Sequence, residues 1–140
     1  MILTDKFYLF DVGVANYLAR RRPIIGSAEF GHSFEHWILM ELMNYRRYRA
    51  PDLEIRFWRT STGQEVDFIL GEMEAAVEVK GGARVHDGDL GGLRALRTSH
   101  RVKHAVIVCL ETARRVVEPG IEILPWQAFL ERLWGGELVG

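Results

Sequence analysis

The sequence predicts a mixed α/β sheet with helices on both faces. Three observations carry that expectation: a long amphipathic helical period, three consecutive alternating segments joined by short turns, and an apolar strand that follows a second helix. Sequential strands joined by tight turns form an antiparallel meander. A helix between the third strand and the apolar one permits a right-handed crossover into a parallel neighbour. A chain of 140 residues suits one domain with a real core. It divides into an N-terminal extension (1–30) and a core with a C-terminal strand and helix (31–140).

Residues 6–10 form an apolar stretch that turns, through Asp11-Val12-Gly13, into a short helix ending at Leu18. Pro23 and Gly26 mark a loop. From 30 to 48 the helical period is clear, with Phe30, Phe34, Trp37, Ile38, Leu42 and Tyr45 on one stripe and Pro51 beyond the end. The segment 55–60 is aromatic and branched, closed by Ser61-Thr62-Gly63. Alternation then places Val66, Phe68 and Leu70 on one face of a strand at 64–70. It places Ala75, Val77 and Val79 on one face of a strand at 74–80, which Gly81-Gly82 ends.

A weaker helix is expected at 87–98, with Leu90, Leu93 and Leu96 inward; its Gly91-Gly92 pair is unfavourable in a helix start. A strand is expected at 103–110, where Lys103 and His104 lead into an unbroken apolar run from Ala105 to Leu110, as in strands buried on both faces. Pro119-Gly120 leads into a short strand at 121–124, and Pro125 suits the first turn of a last helix ending before Gly135-Gly136.

Hydrophobic content of 48% and charged content of 26% are those of an ordinary globular protein. Membrane-spanning runs and a secretory leader pattern are both missing, which makes the cytoplasm the expected compartment. A lone Cys109 forms no internal disulfide and, in an apolar strand, is core rather than nucleophile. The net charge of −1 argues mildly against a dedicated nucleic-acid binder. Arginine clusters at 20–22, at 46–49 and at 94–103 with Lys103 nevertheless offer local phosphate contacts. His86, His100 and His104 are scattered and read as surface or packing residues. Trp126, Phe129 and Trp134 pack the last helix.

The hairpin formed by the second and third strands carries the chemistry. Glu65, Asp67 and Ile69 share one side by alternation, as do Ala76, Glu78 and Lys80. If Glu72-Met73 are the turn residues, Asp67 falls directly opposite Glu78; if Gly71-Glu72, Glu78 is a diagonal neighbour on the same face. Either way two carboxylates and Lys80 meet. Such a pair raises one pKa or demands a cation, and Mg²⁺ suits one or two carboxylates with water and a phosphate. A Glu-x-Lys tripeptide alone is common on amphipathic strands, so Asp67 and a third acid are needed. Glu35, at the border of the helical stripe near Leu39 and Leu42, is that acid if the sheet brings it to Asp67.

Gly31-x-x-Phe34-Glu35, Glu65-Val66-Asp67 and Glu78-Val79-Lys80, in helix-strand-strand-strand-helix-strand order, resemble the PD-(D/E)XK superfamily of restriction-endonuclease-like nucleases. More narrowly, the chain resembles the poorly characterised domain that follows an AAA+-type ATPase in many prokaryotic proteins. Lys6-Phe7-Tyr8, Asp11-x-Gly13, Trp58-Arg59-Thr60, Gly63-Gln64-Glu65-Val66-Asp67-Phe68-Ile69 and Leu124-Pro125-Trp126 carry that likeness. The resemblance implies DNA cleavage with Mg²⁺ or Mn²⁺. Asp67 and Glu78 would bind the ion, Glu35 would assist directly or through water, and Lys80 would orient the nucleophile. Gln64 and Glu65 are auxiliary candidates, and Arg84, Arg94 and Arg97 candidate DNA contacts. Two departures stand out: Val66 precedes Asp67 where the superfamily's name has proline, and no Gly-x-x-x-x-Gly-Lys-Ser/Thr loop occurs.

Two rivals remain. A nuclease-like fold can serve as a silent DNA-binding or ATPase-docking module. His32-Ser33-Phe34-Glu35-His36 also matches the His-x-x-Glu-His pattern of zinc peptidases. Helical geometry puts both histidines opposite the apolar stripe, facing solvent, whereas zinc needs a walled site and a third ligand.

Overall fold

In the computed structural model, the described residues are 11–20 and 24–140, so the expected segment at 6–10 and two members of the first arginine cluster, Arg21 and Arg22, lie outside them. Helix α1 (Val12–Leu18) precedes α2 (Ala28–Arg49). Ser27 caps α2 by accepting the Phe30 N–H at 3.1 Å, and Glu29 and Arg46, Arg47 and Arg49 sit at the ends that suit the helix dipole. The helix therefore starts two residues before its apolar stripe does. The buried positions Phe34, Ile38, Leu42 and Tyr45 are the expected stripe.

His36 is buried as well, at 6% exposure, contrary to the expectation that it faces solvent with His32. Helix α1 supplies the reason. Ser33, one turn before His36, donates its hydroxyl to Asn16 Oδ1 at 3.0 Å, so α1 lies along this side of α2.

Six strands follow: β1 (Ile55–Arg59), β2 (Glu65–Leu70), β3 (Ala75–Val79), β4 (His104–Cys109), β5 (Arg115–Glu118) and β6 (Ile121–Pro125). They form one mixed sheet in the order β1-β2-β3-β4-β6-β5. The first three are an antiparallel meander, and β4 and β6 continue it in parallel. β5 returns antiparallel at the edge; it is not expected from the sequence because four residues with an exposed Val116 show little apolar alternation.

Helices cover both faces. Between β3 and β4 lie a 3₁₀ turn (Asp87–Leu90) and α3 (Gly91–Ser99); α4 (Trp126–Trp134) ends the chain, with Pro125 as its N-cap residue rather than in its first turn. On one face α2 and α4 pack Phe34, Ile38, Leu42, Phe129 and Leu133 against Phe68, Leu70, Val77, Val106 and Leu124. Edge-to-face contacts of Trp37 with Trp126 (5.5 Å) and Tyr45 with Trp134 (5.6 Å) lock the two helices together. On the other face Leu90, Leu93 and Leu96 meet Val66, Ile69, Ala76, Ile107 and Ile123. Cys109 is buried there, with its thiol directed at the Leu124 carbonyl.

Two details of β2 matter for the site. Val66 and Ile69 share the α3-side core, so the expected grouping of Val66 with Phe68 and Leu70 fails. The cause is a β-bulge: Arg56 pairs Ile69 but Trp58 pairs Val66, leaving Asp67 and Phe68 together opposite Phe57. Helix α3 also lies hard against this strand. A Cβ at Gly92 would overlap the Glu65 carbonyl oxygen, so the second glycine of the pair that weakens the helix on propensity is demanded by packing. Among the described residues no helix is long and apolar enough to cross a membrane.

Candidate metal centre at the end of β3

The β2–β3 pairing runs Leu70↔Ala75, Ile69↔Ala76 and Phe68↔Val77. Continued one step, that register puts Asp67 opposite Glu78. It is the register expected of a Glu72-Met73 turn, although the connection spans four turn residues, with Gly71 and Met73 at positive φ. Beyond Phe68 and Val77 the strands part, and side-chain carboxylates replace the backbone ladder. Val79 donates its N–H to Asp67 Oδ2 at 2.8 Å, and Asp67 donates its N–H to Glu78 Oε2 at 3.2 Å. The bulge is what frees Asp67 from the strand's regular pairing, and each buried N–H finds a partner.

Glu78 Oε1 accepts an ion pair from Lys80 Nζ at 2.8 Å. Lys80 lies just past β3, where its N–H donates to the Val108 carbonyl and keeps the chain beside β4. Asp67 and Glu78 are 7% and 6% exposed, the only acidic side chains among the described residues buried to that degree. Burial, reinforced by the charge of Asp67, pushes the Glu78 carboxyl up to about 7 from its usual 4.5, against the pull of Lys80. Burial also works against the Lys80 ammonium, but Glu78, Asp67 and Asp89 together hold its pKa above the usual lysine value.

Asp89 is the member the sequence reading missed. It sits in the 3₁₀ turn, where its Oδ2 accepts the His86 N–H at 2.8 Å. An acid three residues after His86 is a capping signature, and that spacing was the available signal.

The other expected residues are distributed around this pair. α2 begins at the same end of the sheet: a Cβ on Gly81 would lie 2.9 Å from the Gly31 Cα, so the helix start touches the chain just past Lys80. Glu35 is half-buried one turn beyond Gly31. Among the described residues no three His, Cys, Asp or Glu side chains gather into a metal cage, so the acidic centre is a pair with Glu35 outside it. Gln64 lies over the first turn of α3 at Gly91, and Glu65 faces Arg59 at 3.8 Å. Arg84 is exposed. Arg94 and Arg97 are engaged elsewhere: Arg94 binds Asp87 (2.7 Å) and Glu118 (3.2 Å), and Arg97 approaches Glu118 at 3.9 Å, bracing α3 against β5. His32 is exposed while His36 is buried, so the two do not form one zinc-facing pair.

The donor set fits a hard divalent ion. Two buried carboxylates that repel each other, one held near neutrality, suit Mg²⁺, which keeps much of its water and takes one or two protein carboxylates. Asp67 and Glu78 would hold it.

The model of the family described as Domain of unknown function (DUF4143) matches residues 30–129. The chain belongs to the DUF4143 family. The DUF4143 match begins at α2 and runs into α4, so it includes Glu35, Asp67, Glu78, Lys80 and Asp89. No curated protein and no solved structure matches the chain.

Proposed function

We propose that this DUF4143 domain is a Mg²⁺-dependent phosphodiesterase of the PD-(D/E)XK type that cleaves DNA. The buried Asp67–Glu78 pair with Lys80 at 2.8 Å, at the carboxyl end of a central strand, supports that reading above all else. Bound there, Mg²⁺ would supply a lowered pKa for a coordinated water and charge neutralisation at the scissile phosphate. Asp67 and Glu78 hold the ion. With Glu78 engaged by the ion, Lys80 would be the group left to orient the attacking water and meet the phosphate oxygens with its three donors. Asp89 adds a third and weaker negative charge to those of Glu78 and Asp67, which favour the protonated Lys80. Glu35 acts through water from the start of α2.

Membership of a family often found with AAA ATPases supports an ATPase of that class as partner. A second reading, a silent docking or DNA-binding module, draws on the Glu78–Lys80 pair, which satisfies both charges without a metal.

Incubation with plasmid and linear DNA in Mg²⁺ or Mn²⁺ separates the two. Cleavage that disappears with chelator and in both Asp67→Ala and Lys80→Ala supports the enzyme. Cleavage unchanged in both variants points to a contaminant and overturns it.

A further inference from the structure

Helix α2 meets the strand that carries Glu78 and Lys80 through two glycines. Gly81 follows Lys80 directly, and a Cβ on it would stand 2.9 Å from the Gly31 Cα, 3.1 Å from the Phe30 Cδ1 and 3.3 Å from the Gly31 nitrogen. Its φ lies outside the left-handed region, so its own backbone does not ask for glycine. The demand comes from α2. Gly82 differs: a Cβ there would meet only the Arg84 carbonyl oxygen, at an ordinary 3.7 Å.

Glu35 stands one turn after Gly31 on the same face of α2, and a helical side chain leans back over the turn before its own Cα. Its carboxylate is therefore directed toward the end of the helix that rests on Gly81. The two sides of this seam differ in stiffness. Lys80 is tied by its N–H to the Val108 carbonyl (2.9 Å) and by its ammonium to Glu78 (2.8 Å), at the end of a fully buried strand. The first turn of α2 is exposed at Ala28 and Glu29, and the Phe30 N–H to Ser27 Oγ bond (3.1 Å) holds its start. An atom wedged into the seam moves the helix rather than the strand. We propose that Gly81 is a positioning residue: by carrying no side chain it lets α2 settle beside Lys80, and so brings Glu35 to the Asp67–Glu78 centre as its third acid. This rests on the metal-dependent nuclease reading, in which Glu35 acts through water.

The test is a double-mutant cycle on Mn²⁺ binding, read as free Mn²⁺ by electron paramagnetic resonance without any cleavage. Glu35→Gln and Gly81→Ala each weaken binding by about tenfold, as expected for groups acting from outside the ligand set. The double variant binds no more weakly than either single one, because Gly81 acts through Glu35. Independent structural losses would instead multiply, to about a hundredfold. Gly82→Ala binds as wild type does. Should Gly81→Ala melt below the assay temperature, Ser27→Ala loosens the same turn without a clash by removing its cap. It then shows the same loss alone and none in the Glu35→Gln background. Losses that multiply, an equal loss in Gly82→Ala, or affinity within about twofold of wild type in folded Gly81→Ala or its Ser27→Ala substitute overturns the proposal. No Mn²⁺ binding by wild type removes the metal centre and the proposal together. Coupled losses with no DNA cleavage by wild type leave the role of Gly81 standing and remove the nuclease.

Discussion

Replacing Glu78 by glutamine should stabilise the metal-free protein. Gln keeps the shape and removes a charge that the fold tolerates poorly. The folded-state pKa of Glu78 is raised from 4.5 to about 7 by burial and by Asp67. Below the unfolded value both states hold the proton and the group costs nothing. As pH rises the unfolded chain loses its proton first, so stability falls through the window from 4.5 to about 7 and the full penalty stands above it. At 1.36 kcal/mol per unit the penalty is about 3 kcal/mol, and about 2 kcal/mol once relaxation around the Asp67–Glu78–Lys80 group is allowed. Urea unfolding in chelator should therefore show Glu78→Gln more stable than wild type by about 2–3 kcal/mol at about pH 8, and nearly equal at about pH 5. Saturating Mg²⁺ cancels that lead, since an ion at a hundred times its Kd stabilises wild type by about 3 kcal/mol and the variant by far less. A metal-free Glu78→Gln protein less stable than wild type at the higher pH would refute this account, because it would mean that the charged carboxylate is welcome in the fold.

Gly92→Ala should cost about 3 kcal/mol in the same unfolding assay, since its Cβ would overlap the Glu65 carbonyl and force α3 off β2; a neutral effect would show that the helix start is looser than drawn. Glu111 accepts bonds from Nε and Nη2 of Arg115 and from the Val85 N–H, and the Arg115 bonds above all hold its carboxyl down at about 2. A depressed value contributes stability above pH 4.5 that is lost as pH falls toward 2. Glu111→Gln should cost about 1–2 kcal/mol at neutral pH, after discounting for screening, and nothing near the acid end of that window.

The sheet's middle was legible in the sequence because its residues obey one rule each. Val77 and Val79 alternate, β4 is apolar from Ala105 to Cys109, and Phe34, Ile38 and Leu42 recur at helical spacing. The meeting of Asp67 with Glu78 followed from counting across the turn. The bulge did not, because nothing in Val66-Asp67-Phe68 marks an extra residue; it arises from how β1 pairs, and it breaks the alternation that the count assumed. Gly92 was misread on propensity because its reason is a carbonyl on another element. His36 was misplaced because α1, too short for a strong period, covers a side of α2 that the stripe alone leaves open. Arg94 and Arg97 looked free as a basic cluster until Glu118, on a strand that the pattern did not reveal, came beside them.

Of all measurements, a crystal soaked in millimolar Mn²⁺ and examined by anomalous scattering tests the central claim most directly. One Mn²⁺ peak bound by carboxylate oxygens of both Asp67 and Glu78, with Lys80 turned away from Glu78 and the peak lost in Asp67→Ala, is the result expected. An intact Glu78–Lys80 pair with no peak between the two acids would contradict it.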